Sequence, residues 1–143
     1  MTHVRESPVG EMPLTAVVMS PRRQRAADGS AVTAWSPAHG EDAGSLSRWH
    51  RVSHADEVWT HLQGAPLSLW CLKPEADQAT REVLSMHNPV QVIPADHWQA
   101  AKAEGPYSLV SCCVGPGFSF EDFTMLRDLP DSERPKGALP DLI

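Results

Sequence analysis

The chain holds seven histidines and 18 aspartates and glutamates, the side chains that move protons near neutral pH. A histidine beside a carboxylate can act as a general base, and this sequence offers His50, His61 and His97 with Asp56, Glu57 and Asp96. Tyr107 is the only tyrosine. Residues two apart in a strand share a face, so Glu57, Trp59 and His61 are expected to point the same way. By the same rule Gln99 shares the face of His97, and Trp98 takes the other. If Trp98 faces inward, a bulge near Asp96 is needed to bring Gln99 inward as well. Aromatic walls with a few polar groups suit a small-molecule pocket, which makes Trp59 and Trp98 candidates for its lining. Cys71, Cys112 and Cys113 lie in apolar stretches and are expected as inert core thiols. His3, His39 and His87 fall in polar segments and are expected in solvent.

The elements that must hold these residues are short. Thirteen prolines and nine glycines divide the chain, and no window carries a long amphipathic helix. Residues 100–104 have a helix-forming composition but are too few to nucleate alone. Apolar runs at 14–19, 31–35, 50–52, 57–62, 67–72, 80–86, 90–93, 97–101 and 107–114 read as strands between turns. Their recurrence about every 8–12 residues is the pattern of an all-β sandwich or barrel. The arginines at 22, 23 and 25 read as a solvated hairpin tip, with gripping of an anionic ligand as the alternative. Residues 1–12 are expected as a flexible N-terminal segment, 13–127 as the barrel, and 128–143 as a flexible Pro-rich C-terminal tail.

At 143 residues, one domain is expected, large enough to bury a core without disulfides. Hydrophobic residues make up 41% and charged residues 21%, which favours a globular chain. The net charge of −6 and the lack of a long basic run argue against nucleic acid. No apolar stretch approaches the roughly 20 residues of a membrane span. The polar N-terminus and three unpaired cysteines fit a cytoplasmic protein with reduced thiols.

Three ordered segments resemble the motifs of the cupin superfamily. In the first, His50, Glu57 and Gly64 stand near the spacing of the histidine–glutamate–glycine motif. In the second, residues 92–101 are similar to the P-x-G-x-x-H motif, with Asp96 at the turn glycine and Gln99 at the final histidine. The third runs through residues 107–123 and ends Pro116-Gly117-Phe118-Ser119-Phe120-Glu121-Asp122-Phe123. Together they resemble the small RmlC-like cupins, relatives of the dTDP-sugar epimerases, over residues 46–126 and more loosely over 14–45. The resemblance implies an all-β, single-domain jelly-roll barrel, commonly paired as a homodimer. The chain departs from that pattern in lacking an HPEGGyF-like segment, in a longer loop after His50, and in Thr60 where histidine is frequent. These departures point to a specialised ligand or reaction.

A full cupin metal site uses three histidines and a glutamate. The matching positions here are His50, Val52, Glu57 and Gln99, so two strong ligands and one weak amide remain. No cofactor is therefore favoured, with a divalent transition metal held by His50, Glu57, His61 and Gln99 as the alternative. The leading expectation is an enzyme acting on a small organic substrate by metal-independent acid–base chemistry. Isomerisation, epimerisation or cyclisation in specialised-metabolite tailoring would fit. His50, Glu57 and His61 would move the proton, while Trp59, Trp98, Gln99, His97 and Tyr107 would hold the substrate. The alternatives are a metal-dependent oxygenase or lyase, and a non-catalytic small-molecule-binding cupin.

Overall fold

Alternation of buried and exposed side chains decides most of the architecture. The computed structural model describes residues 46–105, 108–115 and 120–143, together with the backbone of four strands nearer the N-terminus. Those four are β1 (Thr2–Arg5), β2 (Thr15–Met19), β3 (Arg23–Arg25) and β4 (Ala31–Trp35). Then follow β5 (Leu46–Val52), β6 (Asp56–Gly64), β7 (Leu67–Leu72) and β8 (Thr80–Leu84). The last four are β9 (Val90–Ile93), β10 (Trp98–Ala103), β11 (Ser108–Gly115) and β12 (Phe123–Met125). All pairings are antiparallel and form two sheets. One runs β9-β6-β11, and the far edge of β11 is shared by β2-β1 and β4-β3. The other runs β12-β5-β10-β7-β8. This is the jelly-roll barrel that the motifs imply.

The two sheets close on a shared apolar interior. Trp59, Ile93, Val110 and Cys112 come from the first sheet, and Leu67, Leu69, Leu84, Ala101 and Ala103 from the second. On β11 the alternation is strict, with Ser108, Val110, Cys112 and Val114 buried and the residues between them half-buried. Residues 100–103, part of the 100–104 stretch whose composition suits a helix, are extended because β10 is clamped between β5 and β7. The arginine-rich tip contains β3, which pairs with residues 31–33 at a sheet edge.

Two turns carry non-glycine residues in the left-handed region, His54 at φ 65° and Asp96 at φ 66°. Short polar side chains tolerate that conformation, which explains an aspartate where a glycine would serve. The two turns are tied together: the Asp56 carboxylate accepts the Ala95 N–H at 2.8 Å, and Asp96 N–H donates to the Val52 carbonyl at 3.0 Å.

Two expectations about the ends need correction. Residues 2–5 form β1 paired with β2 rather than a loose segment; residues 6–12 lie outside the described residues. The segment after Arg127, expected as a flexible tail, lies against the outer face of the second sheet. Leu126 and Leu142 are buried in a cluster with Trp49, Leu72, Trp98 and Ala100. Trp49 Nε1 donates to the Leu139 carbonyl at 3.1 Å, and Arg48 donates to the carbonyl of Ile143. Arg134 ties the segment to itself through the Leu129 and Arg127 carbonyls. Polar composition alone suggests disorder, but a few spaced leucines suffice when indole faces wait on the sheet.

Candidate functional site in the barrel interior

The polar centre of the barrel is built around one glutamine. Gln99 on β10 stands opposite His50 on β5 and opposite Cys71 on β7. Its side chain crosses to the other sheet. Trp59 Nε1 donates to Gln99 Oε1 at 2.6 Å, and Gln99 Nε2 donates to Glu57 Oε2 at 2.5 Å. An indole N–H only donates, so Trp59 fixes which end of the amide it meets. The amide nitrogen must then face Glu57, and the carboxyl becomes its acceptor.

Glu57 is 1% exposed. Burial pushes its carboxyl up to about 7, against the opposing effects of the Gln99 amide and the neighbouring Cys112 thiol. Its second oxygen, Oε1, has no hydrogen-bond partner among the described residues. The Cys112 thiol is itself pushed well above its usual range by burial and by Glu57, so it stays neutral.

His50 is 1% exposed, and its ring stacks on Phe123 at 5.6 Å between centroids. Nδ1 lies 2.8 Å from the Arg48 carbonyl. A carbonyl only accepts, so Nδ1 carries the proton and Nε2 keeps a free lone pair. Burial lowers the imidazole to about 4, with the Arg48 carbonyl opposing. The ring is therefore neutral at physiological pH. Nε2 has no partner among the described residues.

The local strand geometry explains this placement. From Gln99 to Ala101 β10 takes two steps, while β5 takes three from His50 to Ser47. The extra residue is a β-bulge that resets the alternation of β5. Trp49 then points outward to the C-terminal segment while its neighbour His50 points inward.

Several expected site residues sit elsewhere. Glu57, Trp59 and His61 are all buried on β6, as alternation requires. Four residues of strand nevertheless put His61 about 13 Å along from Glu57, too far to share one proton or one metal. Its Nε2 instead meets the Ala65 carbonyl at 2.9 Å. Trp98 does not line the interior. It faces outward into the C-terminal cluster, with the Arg51 guanidinium 4.8 Å over its ring. No bulge near Asp96 is needed, because β10 and β7 run in unbroken register from Trp98 to Ala103 with Gln99 already inward. His97 stays half-buried in the preceding turn, its Nδ1 3.0 Å from the Ala95 carbonyl. Tyr107 lies outside the described residues. No direct His50–Glu57 hydrogen bond replaces these contacts; each residue has its own partner and one open atom.

A metal fits this donor set poorly. Among the described residues no three His, Cys, Asp or Glu side chains converge. The third donor, Gln99, has its oxygen turned to Trp59 and its nitrogen to Glu57. Catalytic metals normally take about three protein ligands.

A cavity of about 460 Å³ opens between the edge strands β8 and β9, and Glu57, His50 and Gln99 are not among its lining residues. Its floor includes Cys71 and Ile93, the strand neighbours of Gln99 and Glu57. Sequence reasoning missed this cavity and the Cys112 contact. Alternation on β11 places Cys112 inward with Val110 and Val114, and that signal was available. The cavity had no such signal, because it depends on two edge strands that do not pair.

Solved structures give the fold a context. A protein from Shewanella oneidensis is 23% identical with a TM-score of 0.55, covering 72% of this chain and 77% of that one. A dTDP sugar isomerase from Desulfovibrio desulfuricans G20 is 13% identical with a TM-score of 0.57, covering 99% of this chain and 85% of that one. A dTDP-4-dehydrorhamnose 3,5-epimerase from Elizabethkingia anophelis is 9% identical with a TM-score of 0.56, covering 96% and 94%. At such identities the likeness establishes the fold alone. No curated protein matches the chain. The model of the family described as cupin superfamily (DUF985) matches residues 17–126, and this chain belongs to that family.

Proposed function

We propose that this cupin is a metal-independent acid–base enzyme of the isomerase or epimerase type, acting on a small organic substrate. The observation that carries the reading is a pair of open polar atoms, Glu57 Oε1 and His50 Nε2, sealed in the barrel beside Gln99. An unsatisfied buried polar atom costs about 1–3 kcal/mol, so the two that flank Gln99 are positions a bound polar group, water or substrate, would satisfy.

Their chemistry divides the work differently from a His–Glu proton pair. Glu57, at about 7, is matched to the pH at which it would exchange a proton. His50, at about 4, is a weak base but a good fixed acceptor. In this reading a substrate hydroxyl donates to His50 Nε2 and is oriented by it. The Glu57 carboxylate takes a proton from a carbon next to a carbonyl, becomes a carboxylic acid, and returns the proton to the same or a neighbouring carbon. Gln99 holds the carboxyl in place throughout. Two solved proteins of this fold are named as a sugar isomerase and a sugar epimerase, which agrees in reaction type.

The test is solvent exchange. Protein in D2O is offered a panel of hydroxyketones and 4-keto sugars, and deuterium incorporation is read by mass spectrometry. The expected result is exchange into at least one member, rising with pH through about 7. Glu57→Gln should lose it by about 10²–10⁴-fold. Equal exchange by Glu57→Gln and the unaltered protein would remove Glu57 from the reaction.

A further inference from the structure

The cavity between β8 and β9 has a charge pattern of its own. Cys71 pairs with Thr80 and Leu69 with Glu82, so Glu82 stands further down the β7–β8 ladder while Lys73 stands beyond its opposite end. Along the strand direction the two positions are about 13 Å apart. Neither takes an ion-pair partner among the described residues. Between them β7 and β9 contribute Leu69, Cys71 and Ile93, while Thr80, Gln91 and His97 make other parts of the lining polar. One cation, one anion and an apolar stretch between them form a pattern that a ligand can mirror.

We infer that this cavity binds a zwitterionic small molecule whose opposite charges sit at the two ends of an apolar body, as in an ω-amino acid. Its carboxylate pairs with Lys73, its ammonium pairs with Glu82, and its chain lies over Leu69 and Ile93. The cavity disfavours nucleoside diphosphates, because the Glu82 carboxylate repels a polyanion and a single lysine cannot neutralise one. The net charge of −6 on the chain acts in the same direction. Glu57 is not part of the cavity lining, so this binding stands apart from the proposed function.

Cys71 supplies the readout, since its half-buried thiol lines the cavity. The unaltered protein is labelled with N-ethylmaleimide, and modification of Cys71 is followed by peptide mass spectrometry. Competitors at millimolar concentration are 6-aminohexanoate, hexanoate, hexylamine and dTDP. The expected result is protection by 6-aminohexanoate, weaker protection by the two singly charged analogues, and none by dTDP. Lys73→Met and Glu82→Gln should each weaken protection at least about tenfold, the loss of one charge-assisted contact. Protection by dTDP but not by 6-aminohexanoate would overturn the proposal, as would protection by none. Glu57→Gln should leave protection intact. Protection without deuterium exchange would sink the chemistry and keep the site; exchange without protection would sink the site and keep the chemistry.

Discussion

At the scale of the residue, Glu57 decides the electrostatics of the interior. Its carboxyl binds a proton more tightly in the folded chain than its ordinary value of 4.5 allows when unfolded. The folded state is therefore favoured at low pH, and that advantage is lost as pH rises from about 4.5 through about 7. His50 acts oppositely. Its imidazole falls from 6.5 to about 4, so stability is lost as pH drops through that window. The two effects offset each other over much of the mildly acid range. Glu57→Gln removes only the first, so the melting temperature of the variant minus that of the unaltered protein should climb between about pH 4.5 and 7 and then flatten. A difference that stays constant across the range would show that Glu57 is not perturbed. Trp59→Phe gives a second test. Without the indole N–H the Gln99 amide is free to turn, and the Glu57 carboxyl loses a donor that favours its charged form. Its titration midpoint should move higher still, read by NMR of the carboxyl carbon; an unmoved midpoint would show that Trp59 does not orient Gln99.

At the scale of the element, the sequence pattern located most strands and misjudged what lies against them. The inward face of β6 was legible because Glu57, Trp59 and His61 alternate with half-buried residues. Sharing a face does not mean sharing a site, and the rise per residue along a strand separates His61 from Glu57. Trp98 was misplaced because an indole in a motif suggests a pocket wall, whereas its partner is a C-terminal segment whose prolines and aspartates hide the leucines that matter. That segment also touches Arg48 and Trp49, which form the bulge behind His50. Leu142, 4% exposed, anchors it. Leu142→Ala should cost about 2 kcal/mol, at the low end for a buried leucine because the site is at the rim. Tryptophan emission should shift to the red as Trp49 and Trp98 gain water. An unchanged denaturation midpoint and spectrum would mean that the segment is not held there in solution.

At the scale of the whole molecule, the two sheets do what a jelly roll does well: they enclose a largely apolar interior and leave a cavity between the unpaired edge strands β8 and β9. The cupin motifs made this architecture legible because three segments in order define which strands face each other. They did not reveal the site's chemistry, because Gln99 replaces a ligand-type residue and its role depends on Trp59 and Glu57, 40 and 42 positions away in sequence. No helix among the described residues is long and apolar enough to cross a membrane. The proposed chemistry depends on a barrel carboxyl, Glu57, that exchanges a proton near neutral pH. Carbon-13 NMR of the glutamate side-chain carboxyls, titrated with pH and assigned by the resonance missing in Glu57→Gln, measures it directly. A midpoint near 7 is expected for that resonance. A midpoint at the ordinary 4.5 would contradict it.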